Sequence, residues 1–206
     1  GCSPQPASKF KPVFIKPPEE NVDQYVSQVV LKLFDCLQGR KNDKVMSYLT
    51  TQRGIQPWVI QACIDQKMLG FMPEISYHAI GMLKKHIGKD LMVQAKMWNP
   101  DKNAPAIAFR PLVSFFPGRT RAEFRLIKPA SEGEAKGMRY GTDLYPWYFE
   151  QDSTNTAIVE GFIDMMSLLS LGWEGSIIAL PGVNSWKIDW FVGNAKKRGV
   201  SRFFSF

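Results

Sequence analysis

Seven residues, Ile158-Val159-Glu160-Gly161-Phe162-Ile163-Asp164, constrain this chain more than any other stretch. The apolar run over 157–159 predicts a short buried strand, Gly161 predicts a sharp exit, and the apolar spacing across 162–171 predicts a helix. Glu160 is thereby set at the carboxyl end of a strand, and Asp164 about one turn into the helix that follows. A second apolar run, Ile177-Ile178-Ala179-Leu180, closes on Pro181-Gly182 and reads as the next strand. Together they predict a βαβ unit. In open α/β sheets ligands and metals gather outside the carboxyl ends of the strands, which makes the two carboxylates the first candidates for chemistry. The plainer alternative is an exposed strand-end acid and an ordinary helix first-turn acid favoured by the dipole.

The rest of the chain has the composition of a packed α/β protein. Its 206 residues allow one large or two small domains. A hydrophobic fraction of 45% and a charged fraction of 22% are ordinary for such a protein. No apolar run approaches the roughly 18 residues of a membrane span, so no membrane association is expected. Gly1-Cys2-Ser3-Pro4 lacks the charged and apolar regions of a signal peptide. Both chain ends read as boundaries within a longer protein. Three widely spaced cysteines, Cys2, Cys36 and Cys63, support neither a zinc site nor a disulfide framework. Reduced thiols and a cytoplasmic setting are expected.

A net charge of +7 calls for an acidic partner, nucleic acid first. Arg110, Arg119, Arg121, Arg125, Lys128, Lys136 and Arg139 crowd the segment ahead of the βαβ unit, and Lys196, Lys197, Arg198 and Arg202 form a second run. Solvation of a charged face is the alternative for either cluster.

Along the chain, residues 1–21 are rich in Pro, Ser and Lys and read as an arm or linker. Apolar residues at 22, 25, 26, 29, 30, 33, 34 and 37 predict an amphipathic helix, and 45–49 begin a second helical piece. Gly54 predicts a helix stop, with Ile55 packing back and Gln56-Pro57 opening the next helix. Residues 76–86 predict a further helix carrying His78 and His86, for which no additional metal ligands are in evidence. Residues 106–111 and 122–127 read as strands separated by a Pro117-Gly118 turn. The aromatic run Tyr145-Pro146-Trp147-Tyr148-Phe149 is expected to staple core elements together, with base stacking as the alternative. Neither a nucleophile elbow nor a phosphate-binding Gly-x-x-x-x-Gly-Lys-Ser/Thr loop occurs.

A strand ending in Glu160-Gly161, an Asp three residues past that glycine, a helix, and a strand ending in Pro181-Gly182 resemble the first half of a TOPRIM domain. Residues 167–172 and Ala179-Leu180-Pro181-Gly182-Val183 resemble its DnaG-type primase branch. Tyr48-Leu49, Arg53-Gly54-Ile55 and Trp58-Val59-Ile60 resemble the start of primase polymerase cores, where a helix ends in Tyr-Leu-x-x-Arg-Gly-Ile. The resemblance spans 45–206. It implies that Glu160 acts in acid/base chemistry and helps bind Mg²⁺ or Mn²⁺, with Asp164 in support. It implies an Asp-x-Asp motif after the third strand, which falls here at 201–206; that motif is absent, so the metal site is expected to be incomplete in this polypeptide. Arg110 on the first of the two strands and Arg125 on the second match the family's groove-facing arginine. Lys136 and Arg139 match the lysine region of a Lys-Tyr-x-Asn segment more loosely.

The expectation is therefore an α/β protein: a Pro-rich arm (1–21), a helical and mixed-sheet part (22–150), and a partial TOPRIM unit (151–206). As the resemblance implies, the parent protein would be a phage, plasmid or chromosomal primase. It would use single-stranded DNA, nucleoside triphosphates and divalent cations, with a replicative helicase as a further partner. A single-strand-binding accessory module with a vestigial TOPRIM, or a TOPRIM nuclease, are the alternatives.

Overall fold

An 18-residue helix, α1 (Glu20–Leu37), carries its apolar stripe inward, with Val26, Val29, Val30, Leu33, Phe34 and Leu37 all buried. The computed structural model describes residues 20–142, 145–151, 154–182, 193 and 202–205. All but the last two residues of the expected arm, and the basic run at Lys196, Lys197 and Arg198, lie outside the described residues.

Asn42 caps the short α2 (Asp43–Ser47): its Oδ1 accepts from the Val45 amide, while its Nδ2 donates to the Met72 carbonyl at 2.8 Å. The helix then opens into a π turn over Tyr48–Gln52, with the Arg53 amide donating to the Tyr48 carbonyl at 3.1 Å. Three residues, Thr50, Thr51 and Gln52, stand where the resembled Tyr-Leu-x-x-Arg-Gly-Ile pattern has two, and all three lie within the π turn. Gly54 turns the chain at φ +67°, Ile55 is buried, and Pro57 opens α3 (Pro57–Asp65).

The chain continues through β1 (Leu69–Phe71), α4 (Ser76–His86), α5 (Lys89–Gln94), and a hairpin of β2 (Trp98–Asn99) and β3 (Ala104–Pro105). The strand expected at 106–111 is instead a 3₁₀ turn over Ala106–Phe109, and the strand begins later as β4 (Leu112–Phe115). Prolines explain the correction. Pro111 has no N–H to give a ladder, and its carbonyl accepts from the Met72 amide just before pairing starts. β5 (Ala122–Arg125) and β6 (Gly137–Tyr140) complete an antiparallel sheet ordered β1-β4-β5-β6. One face, with Val113, Phe115, Ala122 and Phe124, packs into a core shared with α1, α4 and α5. The pleat turns Glu123, Arg125 and Arg139 to the other face.

A second sheet follows. β7 (Trp147–Phe149), β8 (Asn155–Val159), α6 (Phe162–Ser170), β9 (Ser176–Ala179) and β10 (Arg202–Ser205) give the order β10-β8-β9-β7. β10, β8 and β9 run parallel and β7 is antiparallel, so the βαβ unit forms as the spacing predicts and a strand stands where the resemblance implied a third. Its core joins α2, α3 and α6 and reaches the first sheet through Leu69, Phe71 and Leu112, with Phe116 just beyond β4. Trp147 sits at that junction, fully buried. Its ring stacks on Phe116 at 4.0 Å, meets Phe162 at 5.4 Å, and donates Nε1–H to the Phe115 carbonyl at 3.0 Å. Trp147 thus acts as the expected staple, while Tyr145 of the same run is exposed.

At the far side Asp23 of α1 accepts from Arg121 Nη2 at 3.0 Å, from the Thr142 amide at 3.0 Å and from the Thr142 hydroxyl. Burial pushes its carboxyl up, but the Thr142 hydrogen bonds and the Arg121 guanidinium outweigh burial and hold it below the usual carboxylate range.

Two outcomes follow for stability. Trp147→Phe keeps a ring but orphans a buried carbonyl, so chemical denaturation should show a loss of at least roughly 1–3 kcal/mol. On acidification the unfolded chain takes up a proton at Asp23 before the folded chain does. This contribution is therefore whole above the ordinary aspartate range and lost as pH falls through the lower value of the folded chain. The gap in Tm between wild type and Asp23→Asn should be wide at neutral pH and narrow as pH falls below the ordinary aspartate range.

Candidate functional site

Glu160 is the first residue beyond β8, exposed at the carboxyl edge of three parallel strands. The Leu180 amide donates to the Val159 carbonyl at 2.8 Å, which sets Glu160 beside Leu180 and Pro181. On the other side Ser205 of β10 pairs with Ile158. Asp164 is exposed in the first turn of α6. Gly161 does not supply unusual backbone freedom, contrary to expectation, because its φ of −153° is open to any residue. What it supplies is room: a Cβ there would lie 3.2 Å from Asp164 Oδ2, so the Asp164 carboxylate folds back over the junction that carries Glu160. Among the described residues neither carboxylate makes an ion pair.

The arginines come from the first sheet. Register places Glu123 opposite Arg139 and Arg125 opposite Gly137. Arg139 Nε donates to Glu123 Oε2, and its Nη1 donates to the Pro181 carbonyl. Arg139 therefore spans from the first sheet to the strand end beside Glu160. Arg125 Nη1 lies 3.5 Å from Glu123 Oε1, and its Nε is buried without a hydrogen-bond partner among the described residues. Glu123 is 5% exposed, so two guanidinium groups share one buried carboxylate. Sequence reasoning passed over Glu123, although strand alternation in Ala122-Glu123-Phe124-Arg125 puts it on Arg125's face.

The remaining candidates are placed differently. Arg110 lies between the 3₁₀ turn and β4, not on a strand, and is buried. Its Nη2 donates to the Ala135 carbonyl at 2.8 Å and lies 3.7 Å from Glu134, so it organises the loop before β6. Lys136 is exposed in that loop, its carbonyl accepting from the Leu126 amide. A separate cleft of about 790 Å³ between Lys44, Tyr48, Phe109 and Lys128 is lined by none of the six candidates.

Among the described residues no three His, Cys, Asp or Glu side chains converge as a metal cluster. Glu160 and Asp164 are hard oxygen donors on one junction, which fits the share of coordination that protein gives Mg²⁺ when water and phosphate complete it. Burial pushes the Cys63 thiol up to about 12 and raises that of Cys36, which disfavours the thiolate at both described cysteines. No helix among the described residues is long and apolar enough to cross a membrane.

No family model and no curated protein sequence matches the chain. Solved structures do. The Aquifex aeolicus primase (zinc-binding and RNA polymerase domains) superposes with TM-score 0.58 at 18% identity, covering 90% of this chain and 48% of that one. The DnaG primase catalytic domain bound to single-stranded DNA gives TM-score 0.51 at 16% identity, covering 80% and 57%. These likenesses establish a shared fold: the chain is an α/β protein built like DnaG primase domains. It spans about half the length of the primase structures it matches.

The charge network sets a rank order. Arg139→Ala should cost about 1–3 kcal/mol, because it strips a charge-assisted partner from buried Glu123. Lys136→Ala should stay within about 0.5 kcal/mol. Equal denaturation midpoints for the two variants would overturn the network.

Proposed function

We propose that this chain is part of the core of a primase-like DNA replication protein, its partial TOPRIM unit contributing to metal-dependent nucleotidyl transfer by the parent protein on a single-stranded DNA template, with the metal site incomplete in this polypeptide. The observation that carries the reading is Glu160, exposed at the carboxyl edge of the parallel strands, with Arg139 anchored to the same edge at Pro181. The shared fold with primase domains supports it.

In this reading Glu160 and Asp164 provide carboxylate oxygens for Mg²⁺ or Mn²⁺. When bound, such cations orient a triphosphate and make a 3′-hydroxyl a better nucleophile. Glu160 accepts the proton of that hydroxyl, directly or through water. Arg125 and Arg139 neutralise phosphates of template or nucleotide, their positions pinned by Glu123. Arg110 positions the loop that presents Lys136 to the same polyanion. Nucleoside triphosphates are the substrates, and a replicative helicase of a phage, plasmid or chromosomal system is a partner. The setting is cytoplasmic.

The absence of a third metal ligand among the described residues favours a second reading: an accessory single-strand binder whose TOPRIM unit is vestigial. Primer synthesis by the intact protein on single-stranded DNA with Mg²⁺ or Mn²⁺ separates the two. Glu160→Gln should lower synthesis at least about 100-fold, with Tm unchanged because the side chain is exposed. Salt-sensitive binding without any synthesis would establish the accessory role, and cleavage products in place of primers would establish a nuclease.

A further inference from the structure

The lysine-rich end of the helical layer takes no part in that site. α4 closes on Lys84, Lys85 and His86, α5 opens on Lys89, and Lys96 and Lys102 lie on either side of Trp98 in the chain. Lys84 Nζ stands 5.5 Å and Lys89 Nζ 5.0 Å from the centroid of the half-buried Trp98 ring, and Lys102 Nζ stands 5.4 Å from that of Phe109. An open cleft of about 500 Å³ is lined by Lys89, Val93, Lys96, Trp98, Pro100 and Asn103, with no carboxylate among them. The acids nearby in sequence are Asp90, beside Lys89 on α5, and Asp101, in the turn between β2 and β3. Among the described residues none of these five lysines has an ion-pair partner.

Helix physics explains only part of this patch. The dipole favours the cations at the end of α4. It disfavours Lys89 at the first position of α5, and Lys96 sits at φ +55°, where glycine or asparagine is the inexpensive residue. Positive charge is thus kept at two positions where local structure would choose otherwise. Trp98 packs against the core that covers the Val113, Phe115 and Phe124 face of the first sheet. Glu123, Arg125 and Arg139 project from the opposite face. The patch and the Glu160 edge are therefore separated by that sheet.

We propose that this face is a second contact surface for single-stranded nucleic acid, the lysine ammoniums taking phosphates and the Trp98 ring taking one unstacked base. A single strand fits better than a duplex, because stacking on a ring requires a base already out of its helix. α5 has six residues with Met92 buried beneath it and presents no helix long enough to read a groove. Loose cation–ring distances leave the ammoniums free to re-pair with phosphate. The inference rests on the reading of the protein as a single-strand binder, but on different residues.

The test is titration of the intact protein with oligothymidylate at several salt concentrations, read by tryptophan fluorescence. Lys84→Ala, Lys89→Ala and Lys96→Ala combined should reduce the salt slope by about 2 units, at ~0.7 per neutralised phosphate. Trp98→Phe should remove quenching that persists in an Arg125→Ala background. An unchanged slope and unchanged quenching in the surface-lysine variant overturn the proposal while leaving the Glu160 edge untouched. Equal quenching by duplex DNA or by polyglutamate also overturns it, the latter marking a site for an acidic protein. Conversely, loss of primer synthesis in Glu160→Gln has no bearing on whether Trp98 is quenched.

Discussion

One buried indole sets the distance between the two sheets. Trp147 belongs to β7, yet it stacks on Phe116 beyond the end of β4, bonds the Phe115 carbonyl, and touches Phe162 at the start of α6. β7 pairs with β9, and β9 with β8, so the ring fixes where the end of β8 stands relative to the arginines of the first sheet. A second tie, from Arg139 to Pro181, joins the same two bodies. Their magnitudes differ. Burying an indole removes about 150–250 Å² from water, worth roughly 4–6 kcal/mol at ~25 cal/mol/Å². A charge-assisted hydrogen bond from a partly exposed guanidinium contributes about 1.5–3 kcal/mol at most. Trp147 therefore holds the sheets together, and Arg139 orients the edge they share.

Features legible in the sequence were those that local periodicity encodes. α1 and α4 followed from 3.6-residue spacing, and the βαβ unit from two apolar runs bracketing a helical one. Because Glu160 and Asp164 lie within that local pattern, their placement at the strand-end junction was legible too. The strand expected at 106–111 failed because an apolar run of that length is compatible with either a strand or a turn. Pro111, with no N–H to give a ladder, delayed pairing until β4. The reach of Arg139 to Pro181 joins residues 42 positions apart, and no local pattern encodes such a contact. The same holds for β7, whose place in the second sheet depends on pairing with a strand that comes later in the chain.

The π turn at Tyr48–Gln52 shifts the angular register of the chain within a single turn. An inserted residue in a helix would rotate everything after it by about 100°. Opening one turn to i→i+5 spacing takes up the insertion locally. Ile55, Val59 and Ile60 are buried beyond it, in the core under α3. The Tyr48 hydroxyl is buried with no hydrogen-bond partner among the described residues.

The deepest constraint on the site is the alternation of β5. Ala122 and Phe124 enter the core beneath α1, α4 and α5, while Glu123 and Arg125 face the second sheet. A slip of one residue would bury both charges among apolar side chains and expose Phe124. Burying an unpaired charge costs several kcal/mol, far more than any single contact on the charged face returns. The apolar face therefore fixes the register, and the charged face inherits it. Glu123 can then hold two arginines at set positions without contributing much to stability itself. An arrangement of charges that could not organise itself in water is made rigid by packing on the other side of the same strand.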